Sequence, residues 1–492
     1  MHLKVKDMDI ATGGPLVALL NYKDAIKLDL HHGDRVLIKK GKKQTVAIID
    51  IAESKKALPP GQVGLFEEVL DHLKAKKNDK VNLDIAMKPE SVAYIKKKLE
   101  GKKLTKQEIH AIVKDIVSHN LTDIEICYFI AASFTQGLSM KETVYLTKAI
   151  VNNGDQLKLK HKLVADKHCS GGVPGNRTTM IVIPICVAAG IIFPKTSSRS
   201  ITSPAGTADA MEVLCNVVVP VKKMKQIVNK VGGCIVWGGG VNLATADDHM
   251  IKIRHPVSLD PEGMLLASIM AKKHAVNANH VLIDIPIGPN TKFKSKKTGN
   301  KLKRKFIKLG KQLGIHVKVM LSDGTQPIGN GIGPALEARD VLYVLQNHEK
   351  APQDLKEKSL SMAVKIMKMS KIKNPHKKAK EILESGKAYE IMKKIIKAQG
   401  GNPDIKPERI PLGRFTYHVK AASSGKIHHI NNHTISKIAR IAGAPLDKGA
   451  GIYLYRHVGN YVIKGDKIFT IYAQSEKKLK YAIDILKRFG WD

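Results

Sequence analysis

The sequence predicts a multidomain protein of α/β plus α+β class, built around a mostly parallel sheet. Three observations predict it. Short apolar runs alternate with helical patterns between residues 160 and 345, the order that βαβ units impose. A glycine loop, Asp166-Lys-His-Cys-Ser-Gly-Gly-Val-Pro-Gly-Asn-Arg-Thr-Thr179, separates the apolar triplet Leu163-Val164-Ala165 from the apolar segment Met180 to Gly190, so it reads as strand, loop, helix. The chain of 492 residues also exceeds the roughly 250–300 residues that one hydrophobic core usually holds.

Residues 1–86 read as a β-rich N-terminal domain, with runs at Leu3 to Met8, Pro15 to Leu20, Arg35 to Ile38 and Thr45 to Ile51 punctuated by Gly33-Asp34 and Gly41. Met87-Lys88-Pro89 ends that pattern. Residues 87–158 read as a helical domain. Thr105 with Glu108, Thr122 with Glu125 and Ser139 with Glu142 each carry the capping-box spacing ahead of a helical apolar pattern. Residues 159–345 read as the α/β domain. Its expected elements are strands at Leu163 to Ala165, Val217 to Val219, Cys234 to Trp237 and Val281 to Ile285, with helices from Thr178, from Lys222 and near 261–274. A lysine-rich helical connection follows over 346–410. A C-terminal α+β domain over 411–492 has strands expected at Arg414 to Val419, Gly425 to Ile430, Gly451 to Leu454 and Lys467 to Tyr472.

Composition narrows the function classes. The net charge of +38 invites a nucleic-acid reading, but the lysines are spread along the whole chain and aromatics, at 5%, do not interleave with them as a stacking surface requires. Solvated lysine faces that also draw in anionic substrates are the better account. The apolar run from Met180 to Pro194 is shorter than the ~20 residues of a membrane span, Pro184 interrupts it, and Lys195 ends it, which favours a buried helix. The N-terminus lacks an apolar signal core, so a cytoplasmic protein is expected. The five cysteines form no C-x-x-C pair, which argues against a disulfide framework and a zinc site, and Cys186 and Cys215 read as core.

Three clusters carry chemistry. Gly171, Gly172 and Gly175 allow close backbone approach, the helix start after them offers free N–H groups, and Lys167, Ser170, Thr178 and Thr179 add a charge and hydroxyls: a phosphate cradle. Lys195 to Asp209 holds seven hydroxyls and one arginine before its first acid, a second donor-rich loop. Asp260 precedes a helical stretch on which Ser268 and Lys272 share a face; Asp260 reads equally as an N-cap or a catalytic acid. Gly329-Asn-Gly-Ile-Gly-Pro334 does not fit a dinucleotide fingerprint and reads as a packed turn.

Asp166-Lys-His-x-x-Gly-Gly-Val resembles the phosphate motif of the thymidine/pyrimidine-nucleoside phosphorylase family. Gly171-Gly-Val-Pro-Gly-Asn176, Arg199-Ser-Ile-Thr-Ser-Pro-Ala-Gly-Thr-Ala-Asp209, Val236-Trp-Gly-Gly239, Ala246-Asp-Asp248 and Ile283-Asp-Ile-Pro-Ile-Gly288 are similar to its archaeal AMP phosphorylase branch, which also carries an added N-terminal domain. The resemblance implies a small helical domain, with a contribution from about 243–275, facing the α/β domain across an active-site cleft whose closure excludes water. It implies phosphorolysis without a cofactor or metal, with AMP and inorganic phosphate as partners, no specific nucleic acid or membrane, and assembly as a homodimer or higher homo-oligomer. By motif, AMP contacts fall on Gly172, Ser198, Arg199, Ser200, Ile201, Thr202, Ser203, Thr207, Ser268 and Lys292. The proton donor falls on Asp260, and Lys167 and Ser197 match positions that hold the attacking phosphate. A general acid at Asp260 must hold its proton above the reference value of ~3.9, through burial or the substrate's negative charge.

The sequence departs from the family at Cys169, where Ser is usual and a good hydroxyl donor is replaced by a weak one. Arg254 lies near the position of a base-binding arginine but out of register by one residue, and is not assigned. His168 is open to two readings, a second acid or a structural residue. The competing functions are a pyrimidine-nucleoside phosphorylase, a phosphoribosyltransferase, which would require a magnesium–diphosphate site, and a basic RNA-binding protein.

Overall fold

The computed structural model describes residues 1–200, 203–241, 243–257 and 259–488. They form two compact units, Met1–Ala149 with Ala246–Leu265, and Ile150–Thr245 with Leu266–Asp492.

The first unit opens with a closed barrel. Strands β1 (His2–Asp7), β2 (Val17–Asn21), β3 (Arg35–Lys40), β4 (Lys43–Ala52), β5 (Gln62–Leu65) and β6 (Lys80–Ile85) close in the order β1-β5-β2-β4-β3-β6, with helices α1 (Tyr22–Lys27) and α2 (Glu67–Leu73) between them. Alternate residues point inward, so Val36, Ile38, Ala47, Ile49, Val63, Val81 and Leu83 are buried. Helices α3 (Ser91–Leu99), α4 (Lys106–Val117), α5 (Asp123–Thr135) and α6 (Met140–Asn152) follow. The three expected capping boxes form: Thr105 and Thr122 each exchange bonds with the glutamate three residues on, and Ser139 N–H donates to Glu142 at 2.8 Å while Glu142 N–H donates back to Ser139 Oγ at 3.3 Å. Glu142 also accepts from the buried Lys98 ammonium at 2.9 Å. Arg35 of β3 pairs with Glu125, tying the barrel to this bundle.

The second unit carries β7 (Ala165–Cys169), α7 (Thr178–Ala188), β8 (Phe193–Ser197), α8 (Thr207–Glu212), α9 (Val221–Val231) and β9 (Gly233–Trp237). Next in the chain are α10 (Thr245–Arg254) and α11 (Glu262–Ala275), which pass through the 246–265 segment of the first unit. Then come β10 (His280–Ile287), α12 (Lys296–Leu313), β11 (His316–Asp323), β12 (Gly331–Ile332), α13 (Pro334–Leu345) and α14 (Gln353–Met369). The strands pair in parallel as β11-β10-β7 and β8-β9, and a parallel bridge between Val164 and Ile192 joins the two sets. The expected strand at Val217 to Val219 does not form. Val217 offers its carbonyl to Trp237 N–H at 2.8 Å, but Pro220, directly after Val219, caps α9 and turns the chain before a ladder can extend. The buried helix expected over the apolar run forms as α7 and continues through Pro184, every residue from Met180 to Val187 buried, so packing on all sides outweighs the one lost backbone bond.

Helices α15 (Pro375–Glu384) and α16 (Lys387–Ala398) pack with α7 and α14 into the same core. The C-terminal part comprises β13 (Phe415–Lys420), β14 (Gly425–Lys426), α17 (Asn432–Ile441), β15 (Gly451–Leu454), β16 (Tyr461–Val462), β17 (Lys467–Ala473) and α18 (Glu476–Arg488). Its antiparallel sheet, ordered β12-β15-β17-β13, recruits β12 from the preceding α/β segment. The strand expected over Gly425 to Ile430 shortens to two residues that pair only with β16. No helix among the described residues is long and apolar enough to cross a membrane.

Candidate functional site

The glycine loop leaves the carboxyl end of β7 and enters α7, the crevice position at which parallel sheets bind ligands. Two of its glycines are required by geometry. Gly172 has φ +90°, and a Cβ there would stand 3.0 Å from the Lys292 backbone nitrogen. Gly175 has φ +72°, and a Cβ would fall 2.1 Å from the Ile328 carbonyl oxygen. The structure therefore brings together two residues that the sequence singled out separately, Gly172 and Lys292. The Lys292 side chain is exposed.

Beneath the loop Lys167 is only 1% exposed and donates to Thr178 Oγ1, in the first turn of α7, at 2.6 Å. Burial brings its ammonium down to about 8. Behind it Asp166, fully buried, pairs with Lys273 at 2.8 Å and Lys195 at 3.6 Å. His168 lies among Lys273, Lys195, Lys272 and Lys167; burial first, then those charges, hold its imidazole well below the ordinary range. A neutral ring there has no acidic proton to give at neutral pH, which favours the structural reading over the second-acid reading. Cys169 accepts from Asn176 Nδ2 at 3.2 Å, and burial pushes its thiol up to about 11, so it remains a neutral, weak donor.

The second loop leaves the end of β8, where Ser197 stands opposite Trp237 in the parallel register. Ser198 is exposed. Ser200 N–H and Gly206 N–H both donate to Asp209 Oδ2, at 2.7 and 2.8 Å, which folds the loop back on α8. Ser203 Oγ donates to the Ala205 carbonyl at 3.1 Å. Arg199 does not project as an uncommitted cation: it makes a two-pronged pair with Glu212, and its guanidinium lies 4.8 Å from the centre of the Trp237 ring. Lys448, from the C-terminal part, meets the same Glu212 at 2.6 Å. Ile201 and Thr202, also expected to contact AMP, lie outside the described residues.

Arg177 joins the two loops. It pairs with the buried Glu337, donates to Thr207 Oγ1 at 3.0 Å and donates to the Ala205 carbonyl at 2.8 Å. The sequence gives no role to Arg177, Trp237 or Glu212: Arg177 and Trp237 stand inside quoted motifs without an assigned contact, and Glu212 carries no local signal. On α11, Ser268 is buried, and Lys272 one turn further on is among the lysines around His168. Asp260 belongs to the first unit. It lies between α10 and α11, 47% exposed, with Arg254 Nη1 3.6 Å from its carboxylate.

Residues 92–154 match the family described as glycosyl transferase family, helical bundle domain, and residues 161–389 match the corresponding a/b domain. Residues 426–489 match the pyrimidine nucleoside phosphorylase C-terminal domain. The chain is 48% identical to the AMP phosphorylase of Thermococcus kodakarensis over 491 residues, 99% of this chain and 97% of that one. It is 44% identical over 456 residues to a Legionella pneumophila protein provisionally named a thymidine phosphorylase, covering 92% of this chain and 87% of that one. Among solved structures, the anthranilate phosphoribosyltransferase of Thermus thermophilus superposes with a TM-score of 0.53 at 16% identity, covering 62% of this chain and 98% of that one, a likeness of fold.

Proposed function

The chain belongs to the glycosyl transferase family whose helical-bundle and a/b domains it carries, and on that premise we propose that it phosphorolyses the N-glycosidic bond of AMP, giving adenine and ribose 1,5-bisphosphate. The observation that carries this reading is the bridging of two donor-rich loops by Arg177, through Thr207 and Ala205 on one side and its own place at the end of the glycine loop on the other. Two adjoining cradles suit a reaction with two phosphates, one carried by the nucleotide and one attacking.

In the proposed mechanism Lys167 and Ser197 hold inorganic phosphate. Gly172, Ser198 to Ser203, Thr207, Ser268 and Lys292 hold AMP. A phosphate oxygen forms the new bond to C1′ as the bond from C1′ to the adenine nitrogen breaks. The bonding electrons leave with the base, and Asp260 supplies the proton that makes adenine a better leaving group. The positive charge that develops on the ribose is stabilised by the phosphate dianion beside it. The enzyme is read as cytoplasmic and as a homodimer or higher homo-oligomer.

The test is to incubate the protein with phosphate and either AMP or thymidine and to follow free base. Phosphate-dependent release of adenine from AMP is expected. Thymine release from thymidine instead would favour the second reading, to which the Legionella relative points.

A further inference from the structure

Asp284 organises a set of donors that the proposed mechanism leaves unused. It stands on β10 opposite Cys169 of β7 in the parallel register, and it is fully buried. Its Oδ1 accepts from Ser322 Oγ at 2.6 Å, and its backbone carbonyl accepts from Ser170 N–H at 2.9 Å. Its Oδ2 lies 3.2 Å from Lys358 Nζ, which arrives from α14 with a side chain only 10% exposed. Neither Lys358 Nζ nor Ser170 Oγ has an aligned hydrogen-bond partner among the described residues. A buried ammonium has three N–H groups to satisfy, and a buried hydroxyl one. Orphaned donors of this kind, anchored to one carboxylate at the carboxyl ends of adjacent strands, call for an acceptor that is not part of the chain.

We propose that Lys358 and Ser170 are further binding residues for inorganic phosphate, standing in for the hydroxyl that Cys169 does not provide. The inference rests on the phosphorolysis reading for its role in turnover. Cys169 is turned to Asn176, whereas the next residue in the loop keeps a buried hydroxyl pinned to Asp284 through its own N–H. Lys358 also neutralises Asp284, whose carboxylate would otherwise repel a dianion at the loop. With Lys167 it makes the floor of the loop doubly cationic.

The test compares wild type with Lys358→Met and Ser170→Ala. Loss of one charge-assisted contact should raise the KM for phosphate about tenfold or more in Lys358→Met, with the KM for AMP little changed. The rise should be smaller in Ser170→Ala. Lys358→Arg, which keeps the charge, should recover part of the phosphate affinity. A second readout needs no turnover: at the same concentration, inorganic phosphate alone should raise the Tm of wild type clearly more than that of Lys358→Met. If the unpaired Asp284 prevents folding, Asp284→Asn with Lys358→Met removes both charges, and this variant should fold but bind phosphate weakly. Wild-type phosphate KM and thermal shift in either Lys358→Met form would overturn the proposal. If wild type releases no adenine while phosphate stabilises it more than Lys358→Met, the phosphorolysis reading falls and the phosphate site stands.

Discussion

Lys167 Nζ and Thr178 Oγ1 are 2.6 Å apart, so the strand before the glycine loop and the helix after it are tied by one buried contact beneath the loop. An anion held there needs Lys167 as the ammonium, and burial places that group at about 8. Sulfate keeps the same charge across this range and isolates the lysine. As pH rises through about 8 the protonated fraction falls, so the inhibition constant for sulfate should climb by up to about tenfold per pH unit. The climb levels off once pH passes the higher value that the bound anion imposes. Lys167→Met should bind sulfate weakly at all pH values and abolish the trend. A flat profile in wild type would remove Lys167 from the anion site.

Asp260→Asn separates chemistry from binding. The amide keeps the shape and can still donate to a neighbour, but it cannot deliver a proton to the departing base. The turnover number should fall by about 10²- to 10⁴-fold, the range for a positioned general acid, while calorimetric binding of AMP stays near that of wild type. Near-normal turnover in this variant would show that the general-acid assignment is wrong.

Asp209 is the anchor of the second loop, because its Oδ2 accepts from both Ser200 and Gly206 N–H groups. Asp209→Ala leaves those donors without their acceptor and frees the segment from Ser198 to Gly206. The KM for AMP should rise by about tenfold or more, on the scale of one or two hydrogen bonds to a charged group. The KM for phosphate should change less, since Lys167 and Ser197 lie outside the segment that Asp209 anchors and Arg177 keeps its pair with Glu337. An equal rise in both constants would mean that the segment from Ser198 to Gly206 does not serve AMP in preference to inorganic phosphate.

What could be read from the sequence was local. The capping boxes at Thr105, Thr122 and Ser139 formed because each joins residues three apart, and the glycine loop was visible because left-handed φ angles leave a mark in composition. The mostly parallel sheet followed from alternation. Barrel closure did not: β5 is four residues long and pairs in parallel with β1, a long-range match that no local pattern encodes. The same limit applied to the candidate site. Arg199 read as a phosphate cation, yet Glu212, Trp237 and Lys448 engage it or its partner from separate segments. Lys358 was one lysine among many until β10 placed Asp284 beside it.

The turn at Gly329 to Pro334 offers a test of packing alone. Asp340 Oδ2 accepts from Asn330 N–H at 2.7 Å and Gly331 N–H at 2.6 Å, while its Oδ1 is buried without a hydrogen-bond partner. Burial outweighs those two bonds and raises the carboxyl from 3.8 to about 7. Because the folded protein holds this proton more tightly than the unfolded chain, the associated stability is complete below 3.8 and is lost progressively as pH rises to about 7. Asp340→Asn keeps an oxygen for the two N–H groups and places an amide where the proton would sit, so its cost does not vary with pH. The difference in unfolding midpoint between wild type and Asp340→Asn should therefore shift in favour of the variant from about pH 4.5 to about pH 7 and stay constant above it. A difference that does not change over that range would mean that Asp340 is ionised in the fold, and that the Asn330 and Gly331 N–H groups suffice to hold the charge.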